Sequence, residues 1–166
     1  MSTILHRRTL LTGAGALALS ACSGPAEADP SEARFADLPF RDLSEAQWRR
    51  RLPAAAYRVL RQEGTEQPYS SPLDDERRRG IYACRGCELP LFRSRWKYDS
   101  RTGWPSFWDV MRENVGLKTD YLIGVPRIEY HCARCLGHQG HVFNDGPRPT
   151  GKRYCNNGVA LIFQPA

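Results

Sequence analysis

The chain has no apolar run long enough to cross a bilayer. Its longest, Leu10 to Ala21, has 12 residues, where a spanning helix needs about 20. Lysine is nearly missing: of 24 basic residues only Lys97, Lys118 and Lys152 are lysines, which reads as codon bias rather than function. A basic stripe with interleaved aromatics is absent too. The formal charge of +6 over 166 residues falls to +4 once Arg7 and Arg8 leave with a removable leader. That is too modest and too dispersed for a nucleic-acid binder. No internal repeat occurs, and no long strand–helix alternation, which disfavours a parallel doubly wound sheet. Gross disorder is excluded by a composition 41% hydrophobic and 25% charged, ordinary for one globular domain able to bury a core.

Residues 1–21 read as a targeting segment. His6-Arg7-Arg8-Thr9-Leu10-Leu11 carries the twin arginines and following apolar pair of a Tat signal, and Leu10 to Ala21 has the length of an h-region. Leu19-Ser20-Ala21-Cys22 resembles a bacterial lipobox, in which the cysteine is acylated and becomes the mature N-terminus. The alternative is an ordinary cleaved signal with Cys22 an incidental thiol. The lipoprotein reading is favoured, and it implies an exported protein of the periplasm or cell envelope, held to a membrane through Cys22. A Tat route exports folded proteins, so a metal site built of thiols could be loaded before it meets an oxidising compartment. Residues 22–39, rich in Ala, Pro, Ser, Asp and Glu, are expected to be a flexible tether to a domain over 40–166.

Ser44 with Gln47 makes a capping-box pattern that opens a helix. Ala54 to Gln62 is a second helix, with Ala56, Val59 and Leu60 on one face and Gly64 able to stop it. From Gly80 the pattern changes to short β-runs separated by Gly, Pro and Asn: Ile81–Ala83, Leu91–Phe92, Tyr121–Ile123, Ile128–Tyr130, His141–Phe143 and Val159–Phe163. The fold class is thus mainly β (α+β), with the helices outside a sheet domain. Trp48, Trp96, Trp108 and Tyr57 are read as core.

Cys84-x-x-Cys87 and Cys132-x-x-Cys135, with 44 residues between the pairs, form two knuckles that can close one tetrahedral site. Four thiolates suit one structural zinc, with no open position for catalysis. The rivals are two disulfides or one redox-active pair. Cys155 is then the one mature cysteine with neither a structural nor a lipid partner. Arg153 precedes it by two residues, and upstream lie His138-Gln139-Gly140-His141 and the turn Asp145-Gly146-Pro147. A lone thiol near positive charge and imidazoles suits nucleophilic sulfur chemistry, since a neighbouring cation can lower a thiol pKa from about 8.5. The bland alternative is an inert buried cysteine.

Gly103-Trp104-Pro105-Ser106-Phe107, His138 through Pro147 and Arg153-Tyr154-Cys155-x-Asn157 occur in the order and spacing of a methionine-R-sulfoxide reductase of the MsrB type. The two CxxC pairs fall where that family carries zinc, and the resemblance covers residues 40 to 164. It implies two antiparallel sheets in a distorted barrel with helices at the N-terminal side, and a peptide-methionine (R)-S-oxide reductase acting in protein repair under oxidative stress. Cys155 would attack sulfur and become a sulfenic acid. By resemblance His138 and His141 both face the substrate, one of them with a water donating the proton to the departing oxygen. Three residues apart, they need not share a face of an extended run. Trp104 would wall the pocket against the S-methyl group. Asn157 would orient a histidine or water, and Arg153 would depress the thiol pKa. Asp145 is read either as a partner for a histidine or as a shaper of its turn.

Three positions depart from the family pattern. Gln139 replaces a usual leucine, Gly158 a usual serine, and Thr102 occupies one place where a resolving cysteine is sought. With the other cysteines assigned to lipid and zinc, no resolving thiol is left. The sulfenic acid is therefore expected to be reduced by an external thiol, thioredoxin-like or small. The expected partners are proteins containing methionine sulfoxide, that reductant and the membrane, with no nucleic acid, and the chain is expected to be monomeric. A non-catalytic zinc-knuckle binding module would leave the Trp104, His138, His141 and Cys155 constellation unused. A general thiol–disulfide oxidoreductase would need a second cysteine near Cys155.

Overall fold

The structure, a computed structural model, describes residues 29–166; the expected signal peptide and Cys22 lie outside the described residues. Part of the stretch read as a tether is docked on the domain. Helix α1 (Pro30–Ala33) is capped by Asp29 and docked: Ser31 Oγ donates to the Val115 carbonyl at 2.9 Å, and Glu32 meets His131 Nε2 at 2.8 Å. Arg34 reaches the Glu113 carbonyl at 2.6 Å and the Asn114 side chain. Low hydrophobicity suggested a tether over 22–39, but from Pro30 polar contacts fasten that stretch to the domain.

Helix α2 (Glu45–Arg51) starts at the expected capping box, with Ser44 and Gln47 bonding reciprocally. Helix α3 (Ala54–Gln62) buries Ala56, Tyr57, Val59 and Leu60. Its left-handed terminal residue is Glu63, and the Gly64 N–H closes onto the Arg58 carbonyl at 3.0 Å. Trp48 is 2% exposed, a core residue as read.

Nine strands follow: β1 (Gly80–Cys84), β2 (Pro90–Arg93), β3 (Lys97–Tyr98), β4 (Ser106–Phe107), β5 (Val115–Asp120), β6 (Arg127–Cys132), β7 (His138–Phe143), β8 (Arg153–Asn156) and β9 (Leu161–Pro165). They make two antiparallel sheets, of order β2-β1-β9 and β3-β4-β8-β7-β6-β5. A mainly β fold with a few helices is what the short β-runs and the two helical stretches of the chain implied. The expected barrel is not formed. Both sheets keep open edges, at β2 and β9 in the smaller and at β3 and β5 in the larger. They meet instead through aromatic rings: Phe92 stacks on Phe107 with centroids 4.0 Å apart, and Tyr82 and Tyr130 abut that pair edge-on.

Two expected strands differ. Tyr121–Ile123 is the turn of the β5–β6 hairpin, because the Asp120 carboxylate takes the Leu122 N–H at 2.7 Å and Gly124 adopts φ +80°. Val159 and Ala160 belong to a 3-10 turn that precedes β9.

Candidate active site and metal centre

The larger sheet gathers the chemistry by simple parity. Glu129 lies opposite His141, His141 opposite Cys155, and Cys155 opposite Ser106, across four adjacent strands. Residues directly opposite in antiparallel strands project from the same face. His138 joins them through a bulge. Tyr130 pairs with Gly140, yet the next residue, His131, pairs with His138, so β7 carries one extra residue there. The His138 and His141 rings lie 5.4 Å apart, edge to face. Gly140 is obligatory at this point, since a Cβ would drive into the Cys155 carbonyl.

A cavity of about 130 Å³ opens beside the half-buried Cys155, lined also by Thr65, Trp104, Arg127, His141, Phe143 and Asn157. Four of the sequence-predicted residues (Cys155, His141, Trp104 and Asn157) thus share one pocket. His138 stands behind it, 3% exposed. Its Nδ1 sits 2.9 Å from Glu129 Oε1, a close contact off the line of a good hydrogen bond. Asn157 does not orient a histidine. Its Oδ1 accepts from the Glu66 N–H and its Nδ2 donates to the Gln139 carbonyl, each at 3.0 Å. Arg153 and Asp145 stay outside the cavity, joined by two hydrogen bonds of 2.9 and 2.8 Å. Asp145 therefore serves the arginine, not a histidine, and the Arg153 guanidinium lies 4.4 Å above the Phe143 ring that lines the pocket.

The protonation pattern follows from burial and partners. Burial pushes the Cys155 thiol above its ordinary value; the Arg153 charge and the nearby polar groups of Thr102 and Arg153 pull it down without prevailing. Arg153 acts in the expected direction but is outweighed. Asp120 is held well below the usual carboxylate range by the Leu122 N–H, His141 and Arg127. Its ionised Oδ2 takes the His141 Nε2–H at 2.8 Å. Burial lowers the pKa of His141; Asp120 opposes this, while the Arg127 and His138 charges reinforce it. A neutral imidazole donating through Nε2 keeps an acceptor lone pair on Nδ1.

Sequence reading missed Asp120, Glu129 and Glu66. Glu129, 2% exposed, also contacts Lys118 at 3.1 Å. The Glu66 carboxylate caps the loop after the nucleophile, accepting the N–H groups of Gly158 and Val159, while its carbonyl takes Trp104 Nε1 at 3.2 Å. Burial raises its pKa despite those hydrogen bonds. These carboxylates come from other strands and a loop, and no local motif marked them.

Opposite the pocket, the four knuckle cysteines converge with all four sulfurs within 4.8 Å of one another. Cys84 and Cys135 are 3.6 Å apart, Cys87 and Cys132 3.4 Å. A disulfide would need about 2.05 Å, whereas tetrahedral thiolates about 2.3 Å from a common ion lie about 3.8 Å apart. The donor set fits a metal ion. Arginines surround it: Arg51 donates to the Gly86 carbonyl, Arg61 to Cys135, Arg134 to Cys87 and Arg41 to Ala133 and Arg134, all at 2.7–3.0 Å. A forked guanidinium suits these carbonyls beside an anionic cluster, so part of the lysine scarcity has a structural use. Gln139, at the bulge, turns to this side and donates to Cys84 Sγ at 3.3 Å.

A half-buried thiol beside a neutral imidazole, an indole and a small cavity is the arrangement cysteine-based catalysis requires, and the two sheets meet at four cysteines able to hold a metal ion. The chain matches the SelR domain family over residues 52–165. It is 53% identical over 124 residues to a peptide methionine sulfoxide reductase MsrB of Leifsonia xyli, covering 74% of this chain and 89% of that one. Its identity to the MsrB of Methanosarcina barkeri is 50% (74% and 87% covered), and to that of Agrobacterium fabrum 44% (76% and 95%). The chain belongs to the SelR (MsrB) family of methionine sulfoxide reductases.

Proposed function

We infer that this protein is a peptide-methionine (R)-S-oxide reductase with Cys155 as its nucleophile. The observation that carries the assignment of residues is the convergence of Cys155, His141 and Trp104 on one cavity. The thiol stays protonated until substrate arrives, because burial outweighs Arg153. Cys155 sulfur attacks the sulfoxide sulfur as its proton passes, by way of His141 Nδ1 or a water it holds, to the sulfoxide oxygen. That oxygen ends on Cys155 as a sulfenic acid. The methionine sulfur gains two electrons, Cys155 sulfur loses two, and methionine leaves. Trp104 packs the S-methyl group, and Glu129 holds His138 behind His141. Two equivalents of an external thiol then return Cys155 to the thiol, releasing water and a disulfide. Among the described residues every other cysteine is in the knuckle cluster, which supports an external reductant.

Structural zinc is the metal that four thiolates suit best, held by Cys84, Cys87, Cys132 and Cys135 away from the pocket. The Tat-type leader and lipobox support an exported, lipid-anchored enzyme that repairs envelope proteins. The deciding experiment is turnover of the separated R and S epimers of a blocked methionine sulfoxide with dithiothreitol. Reduction of R alone, abolished in Cys155→Ser, is the expected result; equal activity of the variant would overturn the assignment.

A further inference from the structure

The β5–β6 hairpin tip is the most apolar exposed surface among the described residues. Tyr121, Leu122, Ile123 and Val125 are 68%, 75%, 60% and 54% exposed. Four adjacent large apolar side chains left in water mark a site of contact rather than scatter. The hairpin is continuous with the pocket at both ends. Arg127, where β6 leaves the tip, lines the cavity. Asp120, where β5 enters it, binds Arg127 at 2.5 Å, His141 at 2.8 Å and the Leu122 N–H at 2.7 Å. One carboxylate thus ties the backbone of the tip to the imidazole of the site. On the Trp104 side, Tyr69 is 71% exposed, its N–H on the Gly103 carbonyl at 2.7 Å.

The cavity decides what these surfaces meet. At about 130 Å³ it has the volume of about four waters at ~30 Å³ each, enough for the methyl, sulfur, oxygen and adjoining methylene of the sulfoxide. The rest of a polypeptide substrate lies outside, across the rim. We propose that the Tyr121–Val125 tip is a docking surface for the apolar residues flanking an oxidised methionine in a locally unfolded protein. The proposal rests on the reductase reading and names the substrate class of the same pocket. A methionine from a core has apolar neighbours, and unfolding exposes them together with the sulfoxide. The tip buries them as the side chain enters, and the Asp120 bridge keeps His141 in register.

The test compares wild type with the Leu122→Ser, Ile123→Ser double variant on three R-sulfoxides: a blocked single residue, a short peptide with Leu and Phe flanks, and the same peptide with Ser and Gly flanks. The expected result is a tenfold or greater fall in kcat/KM on the apolar peptide, through KM, equivalent to about 1.4 kcal/mol. Activity on the blocked residue should stay within twofold, which also certifies the fold. Equal effects on all three substrates, or none, would overturn the proposal. So would loss of binding to anionic phospholipid vesicles with peptide kinetics unchanged, which would assign the tip to lipid. Should wild type fail on the blocked residue, the reductase reading falls separately. Fluorescence polarisation of the labelled apolar peptide then still decides the tip, since the double variant must weaken its binding tenfold.

Discussion

Withdrawing the metal should unfold the domain rather than merely slow it. Cys84 ends β1 in the smaller sheet with Cys87 just beyond it, and Cys132 ends β6 in the larger with Cys135 just beyond it, so one ion there would bridge both. All four cysteines are at most 4% exposed, and the ion would be sealed from exchange by Trp48, whose ring lies against Gly86. Structural zinc contributes about 10–16 kcal/mol in small thiolate domains, as much as the roughly 5–15 kcal/mol that holds a whole domain folded. Even a net loss of about 5 kcal/mol would lower Tm by ~10–20 °C at about 2–4 °C per kcal/mol for a chain of this size. The assay strips the ion with a mercurial and a chromophoric chelator, counts metal per chain by elemental analysis, and follows melting by circular dichroism. One zinc per chain and a melt that collapses as zinc leaves are expected. A protein holding under a tenth of its metal yet melting within about 3 °C of the untreated sample, with full activity, would refute the reasoning.

Thr102→Cys should install the missing resolving thiol, since the Thr102 side chain lies near enough to Cys155 to help lower its pKa; oxidation by substrate should then yield an internal disulfide, seen by mass spectrometry as loss of two hydrogens. Alkylation of Cys155 by iodoacetamide should be slow at pH 7 and rise with a midpoint above that of a free cysteine, because burial raises the thiol. Arg153→Met removes an opposing pull and should move that midpoint higher; a lower midpoint would contradict the balance described. Glu129→Gln removes a buried carboxylate shared by His138 and Lys118 and should cost about 1–3 kcal/mol in urea unfolding at pH 7. Burial alone would raise this carboxyl, but His138 and Lys118 more than reverse it, so its pKa is lowered. Its contribution is therefore present above the ordinary carboxylate pKa and lost as pH falls through the lowered value, so the variant's deficit should shrink in acid.

The parts of the fold legible in the sequence were those fixed by local chemistry. The Ser44–Gln47 capping box, the apolar face of α3 and the two CxxC knuckles each specify their own geometry, and the structure brings the four cysteines together. Tyr121–Ile123 had the composition of a strand and became a turn because one aspartate hydrogen bond and one glycine outweighed β-propensity. Strands β3, β4, β5 and β8 escaped a reading based on apolar runs. Two of them have only two residues, β5 ends in the polar run Lys118-Thr119-Asp120, and β8 has only Tyr154 and Cys155 between Arg153 and Asn156. The barrel failed for a non-local reason, since no edge strand of one sheet pairs with an edge strand of the other.

The site was legible as a set of residue types and opaque as an arrangement. His138 and His141 at a spacing of three should fall on opposite faces of a regular strand. One extra residue at the β7 bulge cancels that alternation, and a bulge is specified by the strand across from it, not by the run that contains it. The same register places Glu129 beside His138 from the neighbouring strand and Asp120 beside His141 from the strand beyond it. Each histidine thereby obtains a carboxylate partner, and His141 a hydrogen bond that fixes its ring. The division of labour follows from this geometry: His141 reaches the cavity and His138 does not, although spacing and composition treat them alike. Gln139, between them, faces the knuckle and bonds Cys84. A shift of the metal knuckle would thus be felt first in the register of β7, and through it in the distance between His141 and Cys155.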